Sequence, residues 1–294
     1  MSIVREIQAK TLLISIKNPE GWFGVKYNLN IYRGCEHRCI YCDSRSDCYQ
    51  IENFDGEVLV KTNAIELLEK ELGRKRIKGT VGTGAMSDPY TYAEKRYGLT
   101  GKALQVLAKY RFPAHLTTKS DLVLKDLETL QEIQRAQRAS VAFTLTTVDD
   151  ALARQVEPGA PRPSARLEAL ARLAQAGILT GVLMMPVLPL IEDTPENIRA
   201  IVQRAAEAGA KFIIPWIGMS LRAGQREYYY AQLDHLFPGL RAEYEKRYGD
   251  RYSCAAPQAK KLERLLHEEC EKYGMATDMR LFRAGEEGKQ LELF

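Results

Sequence analysis

The chain has 294 residues, 45% of them hydrophobic, and its 42 Lys and Arg against 38 Asp and Glu leave a formal net charge of +4. That length can bury a substantial core as one large or two small domains, and so weak an excess gives no ground for nucleic-acid or membrane binding through bulk charge. Residues 222–294 carry 13 basic and 13 acidic side chains, so the C-terminal quarter is no basic tail.

Taken in chain order, the opening stretch "MSIVREIQAKTLLISIK" lacks the charged start, continuous apolar centre and small-residue cleavage site of a secretory signal, and the expected location is cytoplasmic. From about residue 26, short β-branched or apolar runs alternate with longer segments whose apolar residues recur every three or four positions. Six strands are predicted, over 27–32, 79–84, 114–119, 140–147, 179–188 and 211–220. Between them run helical stripes: Ile65, Leu68 and Leu72; Leu122, Leu127, Leu130 and Ile133; Leu167, Leu170 and Leu173; Ile198, Ile201, Val202 and Ala205. The longest apolar run, "GILTGVLMMPVLPLI", is broken by Pro186 and Pro189 and is too short to span a bilayer, so no membrane association is expected.

This alternation implies a parallel sheet with right-handed crossovers, either open and doubly wound or closed into a full or partial barrel. Turns from helix to strand are short, whereas connections from strand to helix are long, over roughly 34–61, 87–99 and 147–163. In a β/α barrel such long connections build the active-site face. The basic run "RKRIK" at 74–78 falls on a helix-to-strand turn, at the opposite face, and reads as solvated. After residue 222 the rhythm ends in two predicted helices, the second placing Leu262, Leu265, Leu266 and Cys270 on one face. The tyrosines of the first, Tyr228 to Tyr230, Tyr244, Tyr248 and Tyr252, could stack on bases or cover a barrel edge. The expected organisation is an N-terminal extension over 1–25, a β/α body over 26–221 and a helical extension packed on it over 222–294.

The longest and first of the strand-to-helix connections holds "RGCEHRCIYCDSR", with Cys35, Cys39 and Cys42 spaced C-x3-C-x2-C. Six cysteines in a long chain without an export signal point to metal or cluster ligation rather than disulfides. Three thiolates introduced by Gly34 can wrap one inorganic centre, and a cubane held by three of them keeps an open iron, the mark of a catalytic site. A zinc site completed by Cys48, or with His37 substituting, is the alternative, and Cys48 could also serve a second cluster. Cys254 and Cys270 read as buried structural thiols, and His115, His235 and His267 show no ligand spacing.

With Tyr41 just before the last cysteine, and in the loop after the first strand of a β/α array, this motif resembles that of the radical S-adenosylmethionine superfamily over roughly residues 26–221. The resemblance implies an α/β fold, a partial (β/α)6 TIM-like barrel, in which Cys35, Cys39 and Cys42 hold a 4Fe-4S cluster. It also implies the activity: S-adenosylmethionine chelates the open iron and is reductively cleaved to a 5'-deoxyadenosyl radical that abstracts hydrogen from substrate. Such chemistry needs a low-potential electron, hence a flavodoxin- or ferredoxin-type reductant, and a barrel mouth that closes over the radical.

Two further stretches, residues 82–107 and "TTKSDLVLKDLETL" at 117–130, are similar to the spore photoproduct lyase-related, DNA repair photolyase-like branch. Carried over by position, Ser87 and the backbone of Gly84, Ala85 and Met86 would meet the amino and carboxylate groups of S-adenosylmethionine. Lys119 would pair with the carboxylate, Thr144 would contact the ribose or methionine portion, and Tyr41 would lie near the adenine. True lyases carry a hydrogen-donating cysteine where this chain has Ala85, so the resemblance implies a related enzyme rather than the lyase itself, with Tyr90 and Tyr92 as candidate catalytic hydrogen donors. A nucleic-acid-related substrate is implied as well. The competing reading is a zinc- or cluster-stabilised nucleic-acid-binding module without turnover.

In the loop "EPGAPRPSARLEAL", Ser164 is the expected helix cap, and Arg166 either reaches back to the barrel mouth or makes a surface ion pair. Met184 and Met185, at the end of the fifth strand, either line the substrate cavity or fill the core.

Overall fold

The computed structural model describes residues 3–19, 24–51, 53–54 and 56–278. In chain order the elements are β1 (Ile3–Ile7), β2 (Leu13–Ser15), β3 (Tyr27–Leu29), β4 (Tyr32–Arg33), β5 (Glu57–Lys61), α1 (Ala64–Leu72), β6 (Val81–Thr83), α2 (Glu94–Tyr97), α3 (Leu99–Tyr110), β7 (Ala114–Thr118), α4 (Leu127–Ala136) and β8 (Ala139–Thr144). There follow α5 (Asp150–Val156), α6 (Pro163–Gln175), β9 (Leu179–Met184), α7 (Pro195–Glu207), β10 (Phe212–Pro215), β11 (Gly218–Ser220), α8 (Gln225–Leu236), α9 (Leu240–Tyr248), β12 (Ser253–Ala255) and α10 (Ala259–Lys272).

The fold is α/β with a seven-stranded sheet in the order β10-β9-β8-β7-β6-β3-β2. The six strands from β3 to β10 pair in parallel, and each overlaps one of the six runs expected from the sequence, β8 starting one residue early at Ala139. β2 adds antiparallel to β3, and β2 and β10 are the two edges, so the sheet is open. Ala276, beyond α10, bridges in parallel to Phe212 at the β10 edge. Two smaller sheets, β1-β5-β4 and β11-β12, flank it.

Side chains alternate across each strand, and the two faces differ in chemistry. Leu116, Val141, Phe143, Val182 and Met184 share one core with the helix stripes Leu68, Leu130, Ile133, Leu170, Leu173, Ile198 and Ile201. The intervening positions include Asn28, His115, Thr117, Ser140 and Thr144, which are polar. The methionine pair splits accordingly, Met184 into the core and Met185 to a cavity.

Several boundaries differ from the sequence reading for local reasons. Leu122 lies in a 3-10 segment, Asp121–Asp126, because the Ser120 side chain accepts from its N–H, and α4 begins only at Leu127. The run 179–188 stops at Met184, two residues before Pro186, which has no N–H to give a ladder. The run 211–220 breaks after Pro215, and its remainder becomes β11, antiparallel to β12. Ser164 does not cap α6: Pro163 is its first residue, and the Ser164 hydroxyl donates to Asp150 Oδ2 at 2.6 Å. The first C-terminal helix is two, α8 and α9, divided at Pro238 and Gly239, whose φ of 91° suits glycine. Residues 279–294 of the expected extension lie outside the described residues.

Candidate active site

The cysteine connection leaves β4 through Gly34, at φ 90°, where a Cβ would meet the Glu57 carbonyl oxygen at 2.4 Å, so only glycine passes β5 this closely. Backbone bonds then seat the loop on the end of α5 and the segment after it: Ile40 N–H donates to Val156 O at 2.9 Å, and Gly159 N–H to His37 O at 2.9 Å. From the other side Gln225, the first residue of α8 and fully buried, donates to Tyr41 O at 2.9 Å and to Ser220 O at 2.8 Å. Ser44 Oγ donates to Met86 O at 2.7 Å, tying the loop to the residues after β6.

These ties place Cys35, Cys39 and Cys42 along one cleft with about 790 Å³ of unfilled space, part of it open to solvent. The cleft lies at the carboxyl ends of β6 to β10, and Tyr41, Gly84, Ala85, Met86, Ser87, Lys119 and Thr144 line it as well. Every cysteine and cofactor residue picked from the sequence is therefore brought to one place. Cys48 is not among the lining residues; it is exposed, and its sulfur lies 3.3 Å from Arg222 Nη1. Burial pushes all three cleft thiols up, Cys39 to about 12, so an incoming metal must displace their protons.

The two tyrosines proposed as hydrogen donors are not among the residues that line the cleft. Tyr90 is buried with its hydroxyl donating to Asp126 Oδ2 at 2.9 Å. Tyr92 is 48% exposed, with its ring packed edge-on to His37.

One group the sequence reading left without a role organises the cleft wall. Glu157, 2% exposed, accepts from the Tyr41 hydroxyl and the Arg166 guanidinium, and its Oε1 stands 3.9 Å from Lys119 Nζ. Arg166, on α6, also donates to Thr144 O at 3.0 Å and Pro161 O at 2.7 Å, so it does reach back to the strand ends. Burial alone would raise the Glu157 carboxyl, but Arg166 and Lys119 outweigh it and hold the pKa below the usual carboxylate range. Burial opposes the Lys119 ammonium, yet Cys39 and Glu157 keep it protonated. The available sequence signal was a Glu in a strand-to-helix connection and an Arg in the first turn of the helix that follows.

Asp88 is a second such organiser, accepting from Thr118 Oγ1 at 2.7 Å, Lys119 N–H at 2.7 Å and Tyr90 N–H at 2.9 Å, with His37 Nδ1 at 3.4 Å. Gly84, at φ 99°, approaches Thr117 so closely that a Cβ would lie 2.0 Å from its carbonyl oxygen. Ser87 Oγ is buried in the cleft without a hydrogen-bond partner, a cost that a bound ligand with a polar group would remove. Among the described residues no three His, Cys, Asp or Glu side chains already converge as on a single ion. Three soft thiols lining one cleft are a donor set that an iron-sulfur cluster takes.

Comparison with known proteins agrees with this arrangement. The profile of the Radical SAM superfamily matches residues 29–205. An uncharacterized protein of Mycobacterium tuberculosis is 33% identical over 249 residues, covering 83% of this chain and 73% of the relative. An uncharacterized protein of Methanocaldococcus jannaschii is 31% identical over 194 residues, covering 64% of this chain and 72% of that protein. Among solved structures, spore photoproduct lyase complexed with dinucleoside spore photoproduct shares the fold with a TM-score of 0.69 at 16% identity, covering 93% of this chain and 81% of the other.

Proposed function

Since the chain belongs to the radical SAM superfamily, we propose that it is a radical S-adenosylmethionine enzyme whose open six-strand parallel array acts as a partial (β/α)6 barrel. Cys35, Cys39 and Cys42 hold a 4Fe-4S cluster in this reading. Bound there, the reduced cluster supplies the electron that cleaves S-adenosylmethionine, giving a 5'-deoxyadenosyl radical able to abstract hydrogen.

The protein's own groups bind and orient. Lys119 meets the cofactor carboxylate through a charge-assisted hydrogen bond, Ser87 Oγ gains its missing partner, and the backbone at Gly84 to Met86 presents its polar groups to the amino acid portion. Glu157 fixes the ring of Tyr41 and the ammonium of Lys119 so that neither pays an ordering cost on binding. A flavodoxin- or ferredoxin-type protein supplies the electron. Likeness to spore photoproduct lyase supports a nucleic-acid-related substrate, while Ala85, in the place of the lyases' donor cysteine, argues for a different final hydrogen transfer.

The observation that carries the reading is the meeting of three cysteines with an orphaned Ser87 hydroxyl in one cleft. Anaerobic reconstitution tests it. Brown protein with iron and acid-labile sulfide, releasing 5'-deoxyadenosine with dithionite and S-adenosylmethionine, is the expected result, and alanine at any of the three cysteines should abolish both. Colourless protein with stoichiometric zinc would overturn it in favour of a zinc-stabilised module.

A further inference from the structure

On the inner face of the seven-stranded sheet lies a second cavity that shares Gly84, Ala85, Thr117, Thr144 and Met185 with the cysteine cleft. Asn28, Thr83 and His115 belong to this cavity and not to the cleft. Parallel strands covered on both faces normally read as continuous apolar runs. Here the helix-facing side obeys that rule and the inner side breaks it, with His115 and Thr117 on β7, Thr144 on β8 and Asn28 on β3. A buried polar layer costs stability unless its groups find partners. His115 is held in place, its Nδ1 2.9 Å from Ser140 Oγ and its Nε2 3.4 Å from Thr117 Oγ1.

The polar groups are of one kind. Among the described residues no wall of the cavity is formally charged at neutral pH, because burial pushes His115 down to about 4 and Lys119 lines only the cleft. An ionised group placed here would meet no opposite charge on the cavity walls, so no ion pair would offset the water it gives up. An amide, by contrast, finds the Thr83 and Thr117 hydroxyls and the Asn28 carboxamide, groups that both donate and accept, with Val25 and Leu183 as apolar walls.

We propose that this second cavity is the substrate subsite and takes an uncharged group that both donates and accepts hydrogen bonds, an amide or lactam, presented to the cleft past Gly84 and Ala85. Calling its occupant a substrate rests on the radical S-adenosylmethionine reading; the charge selectivity of the cavity does not. Any phosphate or carboxylate on the same molecule stays outside, at the cleft mouth.

Nicotinamide and nicotinate, alike in size and different in charge, are the probes, titrated at pH 7.5 into the reconstituted protein by ligand-detected NMR. Nicotinamide should bind at least about tenfold more tightly than nicotinate, and Asn28→Ala and His115→Phe should each weaken it about tenfold while circular dichroism stays native. If His115→Phe does not fold, the half-buried Asn28 position carries the test. Equal binding of the two probes, no nicotinamide binding, or nicotinamide binding untouched by substitution would overturn the proposal. Iron content and S-adenosylmethionine binding, measured on the same preparation, report separately on the cofactor reading.

Discussion

Glu157 shows how much one buried carboxylate can hold together. Its partners are Tyr41, 116 residues away, Lys119 and Arg166, and the Glu157 and Arg166 side chains are each 1% exposed. Neutralising it takes from the buried Arg166 its carboxylate partner, and removing one partner of such a pair costs about 3–5 kcal/mol. Glu157→Gln should therefore lower the melting temperature markedly and reduce iron retained after reconstitution; an unchanged melt would remove Glu157 from this role. Glu192 behaves in the opposite way. Buried, and accepting from Thr146 Oγ1 at 2.8 Å and Leu188 N–H at 2.9 Å, its carboxyl is raised to about 8, chiefly by desolvation. The folded state thus binds a proton that the unfolded state has lost, so stability is full below the unfolded carboxyl value of about 4.3 and falls as pH rises toward 8. Glu192→Gln carries no charge, can accept from Leu188 N–H through its amide oxygen and donate to the Thr146 hydroxyl through its NH2, and should flatten the fall in thermal stability between pH 5 and pH 8 and stabilise the protein at pH 8. The three cysteines stand out by their spacing, and Ser87, Lys119 and Thr144, carried over from the resemblance, lie at or beyond the ends of strands that meet at the cleft. Glu157 and Asp88 were not legible, since only folding brings their partners to them.

At the scale of elements, period decided what could be read. The six parallel strands are short apolar runs bounded by turns, and each lies in the main sheet as its pattern required. β1, β4 and β5 carry no such signature, because a three-stranded flanking sheet with partly exposed faces needs no continuous apolar run. The segment after α5 reads as a proline-rich loop, yet it forms the floor under the cysteine connection. Gly159 is the contact point: a Cβ there would sit 2.1 Å from Glu36 O and 3.0 Å from His37 O, backbone atoms that cannot swing aside. Gly159→Ala must move one loop or the other. The expected result is a native far-ultraviolet spectrum with a clear loss of iron loading, measured as iron per chain after reconstitution. Full loading would mean that the cysteine connection tolerates displacement of its floor.

Across the whole molecule, the question is whether residues beyond 221 are an accessory or part of the core. Tyr229 and Tyr244 are fully buried, Tyr230 and Tyr248 nearly so, and they form one apolar cluster with Cys39, Ile40, Tyr41, Met219 and Leu221. The Tyr229 and Tyr244 hydroxyls lie 3.0 Å apart, and Tyr244 donates to Pro189 O in the connection after β9. These four tyrosines therefore cover the back of the cysteine loop and offer no surface to a base, whereas Tyr252 of the same set is exposed. On the other flank, α10 places Leu262 and Leu266 in the main core with Ile198 and Ile201 of α7. Burying side chains of this size contributes roughly 1.5–3 kcal/mol each, so losing six of them removes an amount comparable to the whole stability of a typical domain, about 5–15 kcal/mol. A chain ending after residue 221 is expected to lose cooperative thermal unfolding and to retain no iron. Were residues 26–221 a self-sufficient barrel, the shortened chain would melt cooperatively and load iron to the level of the full protein, and the C-terminal helices would then be an attachment rather than the rear wall of the site.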